Sequence, residues 1–248
     1  QTIAAARKDE GAFLRAVDSE MKGLTRDLKT DMNRMIFGDG SGALTACGTT
    51  SGSTTVTVAS TAKLRVGMSV DILVTASGAT STGVVGATIL TVPSSTTFTI
   101  ATSVTTDSTF SVYRNGARNL EVMGLNGIVD DADPASGALQ GLAVASYDYW
   151  KAQVLSNSGT NRALTEILIQ QAEDEVDING DGMTSALFTS YGVRRAYQQL
   201  LNAQRIYQNI MKFDAGYSAL EYNNKPMFVD KDCQANTMYG LDEEHLKF

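Results

Sequence analysis

The stretch Val66-Gly67-Met68-Ser69-Val70-Asp71-Ile72-Leu73-Val74 decides how the middle of this chain is read. Val66, Met68, Val70, Ile72 and Val74 recur at every second position, and a period of two is the signature of a strand with one buried face. The run lies inside a segment of unusual composition. Of the 70 residues from 41 to 110, 11 are Ser, 19 Thr and 7 Gly, and only Lys63, Arg65, Asp71 and Asp107 carry charge. Such a tract is either a flexible linker or a small β domain, because Thr and Val favour strands. Alternation decides for the β domain. Val56 and Val58 alternate with Thr, and Phe98 and Ile100, then Phe110 and Val112, repeat the pattern. Ser/Thr/Gly clusters separate these runs as turns do. The abrupt change of composition marks an inserted module over residues 43–112.

Before the insert, Leu14, Val17, Met21, Leu24, Leu28 and Met32 are spaced three or four apart. That spacing predicts one long amphipathic helix, ending near Phe37 because Gly38-Asp39-Gly40 follows. At roughly 25 residues it is about 37 Å long, and its single apolar face must lie on its own domain or on a neighbour. After the insert, residues 113–142 read as irregular and extended, broken by Gly116, Gly124, Gly127, Pro134, Gly137 and Gly141. Three helices are then expected. One covers about 147–156 and carries Trp150. One covers about 162–176, with Leu164, Ile167, Leu168 and Ala172 on a face. The third starts after Ser190 as N-cap, with Val193, Tyr197, Leu200, Gln204 and Tyr207 at helical spacing. Strands are expected at Met227–Val229 and Met238–Leu241. Helices and strands mix without βαβ regularity, an α+β pattern.

The 248 residues suffice for one large domain or two small ones, with enough chain to bury a core unaided. No apolar run approaches the roughly 18–20 residues of a membrane helix, and no basic segment followed by an apolar stretch opens the chain, so neither a membrane partner nor a signal peptide is expected. The start at Gln1 and the end at Phe248, within a strand-like run, suggest part of a longer polypeptide. A net charge of −7 argues against general nucleic-acid binding, which needs clustered Lys and Arg. The single histidine, His245, weighs against hydrolytic triads and zinc sites, and two cysteines, Cys47 and Cys233, make no disulfide framework.

Gly38-Asp39-Gly40-Ser41-Gly42-Ala43 fits a loose dinucleotide fingerprint, but it follows a helix and precedes a β module, the reverse of the strand-to-helix order that cradles a pyrophosphate. A helix stop and hinge is the better reading. Asp177-Ile178-Asn179-Gly180-Asp181-Gly182 begins like a calcium loop, with oxygens at Asp177, Asn179 and Asp181. The twelfth position, which needs a bidentate Glu, is Phe188, so these three residues are a weak metal candidate. Asp130, Asp131 and Asp133 read as a solvated loop or intersubunit ion pairs rather than as acid–base catalysts. Arg194, Arg195 and Arg205 with Tyr197 and Tyr207 would suit a nucleic-acid strip, but adjacent arginines diverge by about 100° on a helix, which favours surface ion pairing. His245, near Glu243, Glu244 and Lys247, reads as surface, and Trp150 with Tyr147 and Tyr149 as core. No catalytic, cofactor-binding or firm metal site emerges.

Three segments together point elsewhere. They are Asp27-Leu28-Lys29 through Asp31-Met32-Asn33-Arg34 into Phe37-Gly38-Asp39-Gly40-Ser41-Gly42; Ala163-Leu164-Thr165 through the acidic turn to Thr189-Ser190-Tyr191-Gly192-Val193-Arg194-Arg195-Ala196-Tyr197; and Leu220-Glu221-Tyr222 followed by Lys225-Pro226-Met227-Phe228-Val229-Asp230-Lys231-Asp232. In this order and spacing they resemble the major capsid proteins of tailed bacteriophages with the Hong Kong 97-type fold. The resemblance covers residues 12–42 and 113–248.

It implies an α+β capsid fold, with peripheral and axial domains, interrupted by the β insert. Residues 1–42 would be the N-terminal arm and long helix. Residues 43–112 would be the insert, 113–182 an extended loop plus the peripheral spine helix, and 183–248 part of the axial domain. The implied function is a non-enzymatic subunit, made in the bacterial host cytoplasm, that self-assembles as hexamers and pentamers into the icosahedral head of the virion. The head encloses DNA without specific binding and requires no cofactor. Scaffold, portal or decoration proteins are the further partners. The alternatives are an encapsulin-like nanocompartment shell, an adhesion or carbohydrate-binding module carried by the insert with calcium at 177–182, and an enzyme with an unrecognised carboxylate site.

Overall fold

The structure, a computed structural model, describes residues 10–80, 82–134, 137–180, 182–203, 210–212 and 218–244. The chain is a mixed α+β protein in two compact units, one of residues 38–154 and the other of residues 1–37 with 155–248.

The unit of residues 38–154 is built on strands β1 (Ala43–Ala46), β2 (Thr50–Thr57), β3 (Ser69–Val74), β4 (Val84–Thr88), β5 (Thr97–Thr106) and β6 (Phe110–Arg114). One sheet has the order β1-β6-β3-β4 and a second pairs β2 with β5, every pairing antiparallel. Val56, Val58, Val70, Ile72, Phe98, Ile100, Phe110 and Val112 are all buried in one core shared by both sheets, as alternation demands. The deciding stretch is strand only from Ser69. Gly67, at φ +86, belongs to the turn before it, and Val66 is exposed. Within β3 the one charge, Asp71, is buried. Its carboxylate accepts from the Gly86 amide (2.8 Å), Asn115 Nδ2 (2.7 Å) and the Gly116 amide (2.8 Å), which satisfies a charge that burial would otherwise penalise.

This unit runs past the compositional break at 112. The Asn119 amide donates to the Ser41 carbonyl (2.8 Å), and Arg118 Nη2 donates to the Thr75 carbonyl (2.9 Å). Gly42, at φ +76, admits the Ala117 carbonyl to a place that a Cβ would occupy. Beyond β6 the only regular pieces described are a short helix α2 (Leu125–Ile128) and single 3-10 turns. The helix expected at 147–156 is one of these turns, Asp148–Trp150.

The other unit carries helix α1 (Glu10–Ile36), α3 (Glu166–Gly180), β7 (Ala186–Thr189), α4 (Tyr191–Ala203), β8 (Ile210–Lys212), β9 (Ser218–Tyr222), β10 (Lys225–Val229) and β11 (Met238–Leu241). The sheet order is β11-β7-β10-β9-β8, with β7 and β10 parallel and the other pairs antiparallel. Leu187 and Met227 point to one face, where Ile169 of α3 and Tyr197 and Leu201 of α4 pack on them. The alternate residues Phe188 and Phe228 stack at 5.2 Å on the other face. A half-buried ion pair ties α3 to the sheet: Lys225 Nζ lies 2.7 Å from Glu173 Oε1 and donates to Thr184 Oγ1 (2.9 Å).

The expected helix at 162–176 is displaced to Glu166–Gly180, because the Thr165 hydroxyl accepts the Leu168 amide (3.1 Å) and caps the helix there. The helix after Ser190 begins as expected, but by backbone bonding. The Arg194 amide donates to the Ser190 carbonyl, while the Ser190 hydroxyl is buried without a hydrogen bond.

Candidate interaction surface

Helix α1 is held by its last turn. Asn33 Nδ2 donates to Asp230 Oδ1 (2.8 Å) and Asp232 Oδ2 (2.7 Å), and the buried Phe37 ring lies 6.5 Å from the ring of Tyr239. Tyr239 pairs with Phe188 across β11 and β7, so this contact is made on the sheet face opposite α3 and α4. Arg34, also buried, bonds Asp31 at 3.0 Å. Gly38, next after Phe37, starts the other unit.

The preceding turns present their apolar side chains to solvent. Met21 is 63% exposed, Leu24 71% and Leu28 58%, and Val17, Met32 and Ile36 are exposed as well. At 100° per residue these six fall within an arc of about 120°. The helix measures about 40 Å from 27 residues. Exposed contiguous apolar surface of this kind is a common feature of interaction sites. Of the stripe named from sequence, Leu14 lies where side chains are not described.

The other motifs take structural places. Asp177 and Asn179 lie inside α3, not in a loop, and Asn179 Nδ2 donates to Glu175 Oε2 (2.8 Å). Residues two apart on a helix point about 160° apart, so these two oxygens do not converge as a calcium loop requires. Asp181 lies outside the described residues. Among the described residues no group of three or more His, Cys, Asp or Glu side chains is placed to hold a metal ion.

Asp130 Oδ1 accepts the Ala132 amide and Asp133 Oδ1 the Val144 amide, both as loop fasteners, and Asp131 is exposed. Tyr197 is core: its hydroxyl donates to the Glu221 carbonyl (2.9 Å), and burial first, then the nearby Glu166 carboxylate, pushes its pKa up. Arg194 stacks over the Tyr191 ring at 5.4 Å. Arg205, Tyr207 and His245 lie outside the described residues.

Tyr147 and Tyr149 are surface rather than core, packed edge to face on each other at 5.9 Å. Trp150 lines a cavity with Asp130, Asp133 and Pro134. In the Gly38–Ala43 stretch, Asp39 Oδ1 accepts the Ser41 amide, which closes a turn between α1 and β1. Cys47 and Cys233 are buried free thiols, pushed up to about 12 and about 11 by burial, with Asp107 and Asp230 respectively adding to the shift. No helix among the described residues is long and apolar enough to cross a membrane.

Leu120 and Val122 of the loop after β6 are exposed too, as is Ile167 on α3. Leu120 and Val122 lie in a segment without periodicity, whereas Ile167 was expected on the apolar face of its helix with Leu164, Leu168 and Ala172; the residue that α3 buries is instead Ile169. No protein-family model, curated protein or solved structure matches this chain.

Proposed function

We propose that this chain is a structural subunit of a closed shell, the head of a tailed bacteriophage, with a Hong Kong 97-like fold bearing an inserted β domain. The observation that carries the reading is the exposed apolar stripe of α1 from Val17 to Ile36. A subunit that completes its burial against copies of itself has such elements, and many modest contacts summed over a shell give large stability.

The sequence segments that resemble the capsid family add support, since they fall on the end of α1, on α3 through α4, and on the β9–β10 hairpin. The acidic balance of −7 fits a shell that confines DNA without gripping it. Partners in this reading are copies of the chain, in hexamers and pentamers, with scaffold, portal and decoration proteins.

Electron microscopy of the product of the complete gene, expressed alone and with its neighbouring genes, tests the reading. Closed shells or rings of five and six subunits are expected. A monodisperse monomer at high concentration, without rings at any salt or pH, overturns it.

A further inference from the structure

The residues that border the α1 stripe are sorted by charge. Viewed down the helix at about 100° per residue, Glu20, Asp27 and Asp31 lie along one side of the apolar arc and Arg15, Lys22 and Lys29 along the other. Glu20, Asp27, Lys22 and Lys29 are exposed. Asp18 sits on the basic side and is held by Lys22 at 2.7 Å, while Asp31 is bonded to Arg34 within the helix. Asp27 also lies 3.8 Å from Arg26; this pair and Lys22–Asp18 are both solvent-exposed and hold their charges only weakly, so each edge keeps its sign, acidic at Glu20 and Asp27 and basic at Lys22 and Lys29.

That arrangement discriminates between partners. Two copies of α1 packed stripe to stripe and running parallel set the acidic edge of each beside the basic edge of the other, along both seams. In register, Glu20 then stands about 3 Å along the axis from the level of the partner copy's Lys22, and Asp27 about 3 Å from that of its Lys29. Antiparallel packing sets acid against acid and base against base, which is repulsive. A helix with uniform edge charge would match only one seam.

From this we infer that α1 pairs in parallel with α1 of a second copy of the chain, apolar stripes facing and oppositely charged edges in contact. The inference rests on the proposed self-assembly and names the element and orientation that carry it.

Charge reversal tests it on the full chain by sedimentation equilibrium, with circular dichroism as a folding control. Glu20→Lys/Asp27→Lys makes both edges basic, and Lys22→Glu/Lys29→Glu makes both acidic. Each variant alone is expected to self-associate at least about tenfold more weakly than the parent, since like charges then face each other on both seams. An equimolar mixture of the two is expected to recover association.

Orientation is read separately with single cysteines on the stripe, because Cys47 and Cys233 are buried. Val17→Cys should crosslink to itself on oxidation, and so should Met32→Cys. Equal association of parent and charge variants overturns the inference. So does crosslinking only between Val17→Cys and Met32→Cys chains, or a stripe covered solely by a different protein. Shells that form regardless of these charges leave the capsid reading standing without the inference. Paired α1 helices in a chain that never forms rings do the reverse.

Discussion

Replacing Leu24 and Leu28 together by alanine separates folding from association. Both leucines are more than half exposed in the single chain, so neither contributes much to its core, and alanine is the best helix former. The stability of the isolated chain should change by less than about 0.5 kcal/mol. Association should change far more. Each substitution removes three carbons worth about 0.8 kcal/mol apiece when buried. Scaled by exposed fractions of 71% and 58%, the pair comes to about 3 kcal/mol per helix; with both helices of a pair substituted that is about 6 kcal/mol, roughly ten-thousandfold in an association constant.

Sedimentation velocity over a concentration series reads the association, and urea unfolding reads the fold. Two outcomes refute the reasoning. If association shifts by less than threefold, the stripe is not what the contact buries. If instead unfolding weakens by 2 kcal/mol or more (roughly the cost of a truncated core leucine), the stripe is already covered within the chain.

Other consequences follow from local chemistry. Asp71→Asn keeps one acceptor but turns an amide toward the Gly116 N–H, so the β unit should lose about 2–3 kcal/mol in urea unfolding; a change under 0.5 kcal/mol would show that the carboxylate is not needed. Gly23 has nothing within 4 Å of where a Cβ would sit, so Gly23→Ala should stabilise α1 by about 0.5–1 kcal/mol and raise helicity by circular dichroism; unchanged helicity counts against a formed α1. Because the Cys47 pKa is raised from 9.0 to about 12 on folding, its contribution is full below pH 9 and is lost as pH climbs toward 12. Stability should therefore fall over that window and fall less steeply in Cys47→Ala; identical slopes would contradict the burial of the thiol.

The β unit was the most legible part of the sequence, since the alternating residues Val56, Val70, Ile72, Phe98, Ile100 and Val112 lie in its core, although β3 and β6 also bury Asp71, Leu73, Ser111 and Tyr113 from the opposite face. Its extent was not, because Arg118 and Asn119 join it through backbone carbonyls, bonds to which composition is blind. The end of the long helix was legible to within a residue, Ile36 against the expected Phe37, and so was its apolar stripe from Val17 to Met32. Around Trp150 an aromatic cluster suggested a helix, yet the chain makes only one 3-10 turn there, between glycine-broken segments. The start of α3 turned on Thr165, whose cap was available in the sequence as Thr three residues before Leu168 but lacked the acidic partner of a capping box. The acidic turn at 177–182 misled because its spacing suits a loop, whereas Asp177 and Asn179 continue the helix.

The clasp between Asn33 and the Asp230–Asp232 turn makes α1 a lever with a short fulcrum. From Asn33 to Val17 the helix spans about 24 Å. A swing of about 10° at the clasp therefore carries the free end about 4 Å, close to the diameter of one side chain. A subunit hinged there could present the same helix to neighbours set at slightly different angles. In the shell proposed above, closure with both five and six subunits around the axes would call for that latitude, and the short attachment at Asn33 and Phe37 would supply it.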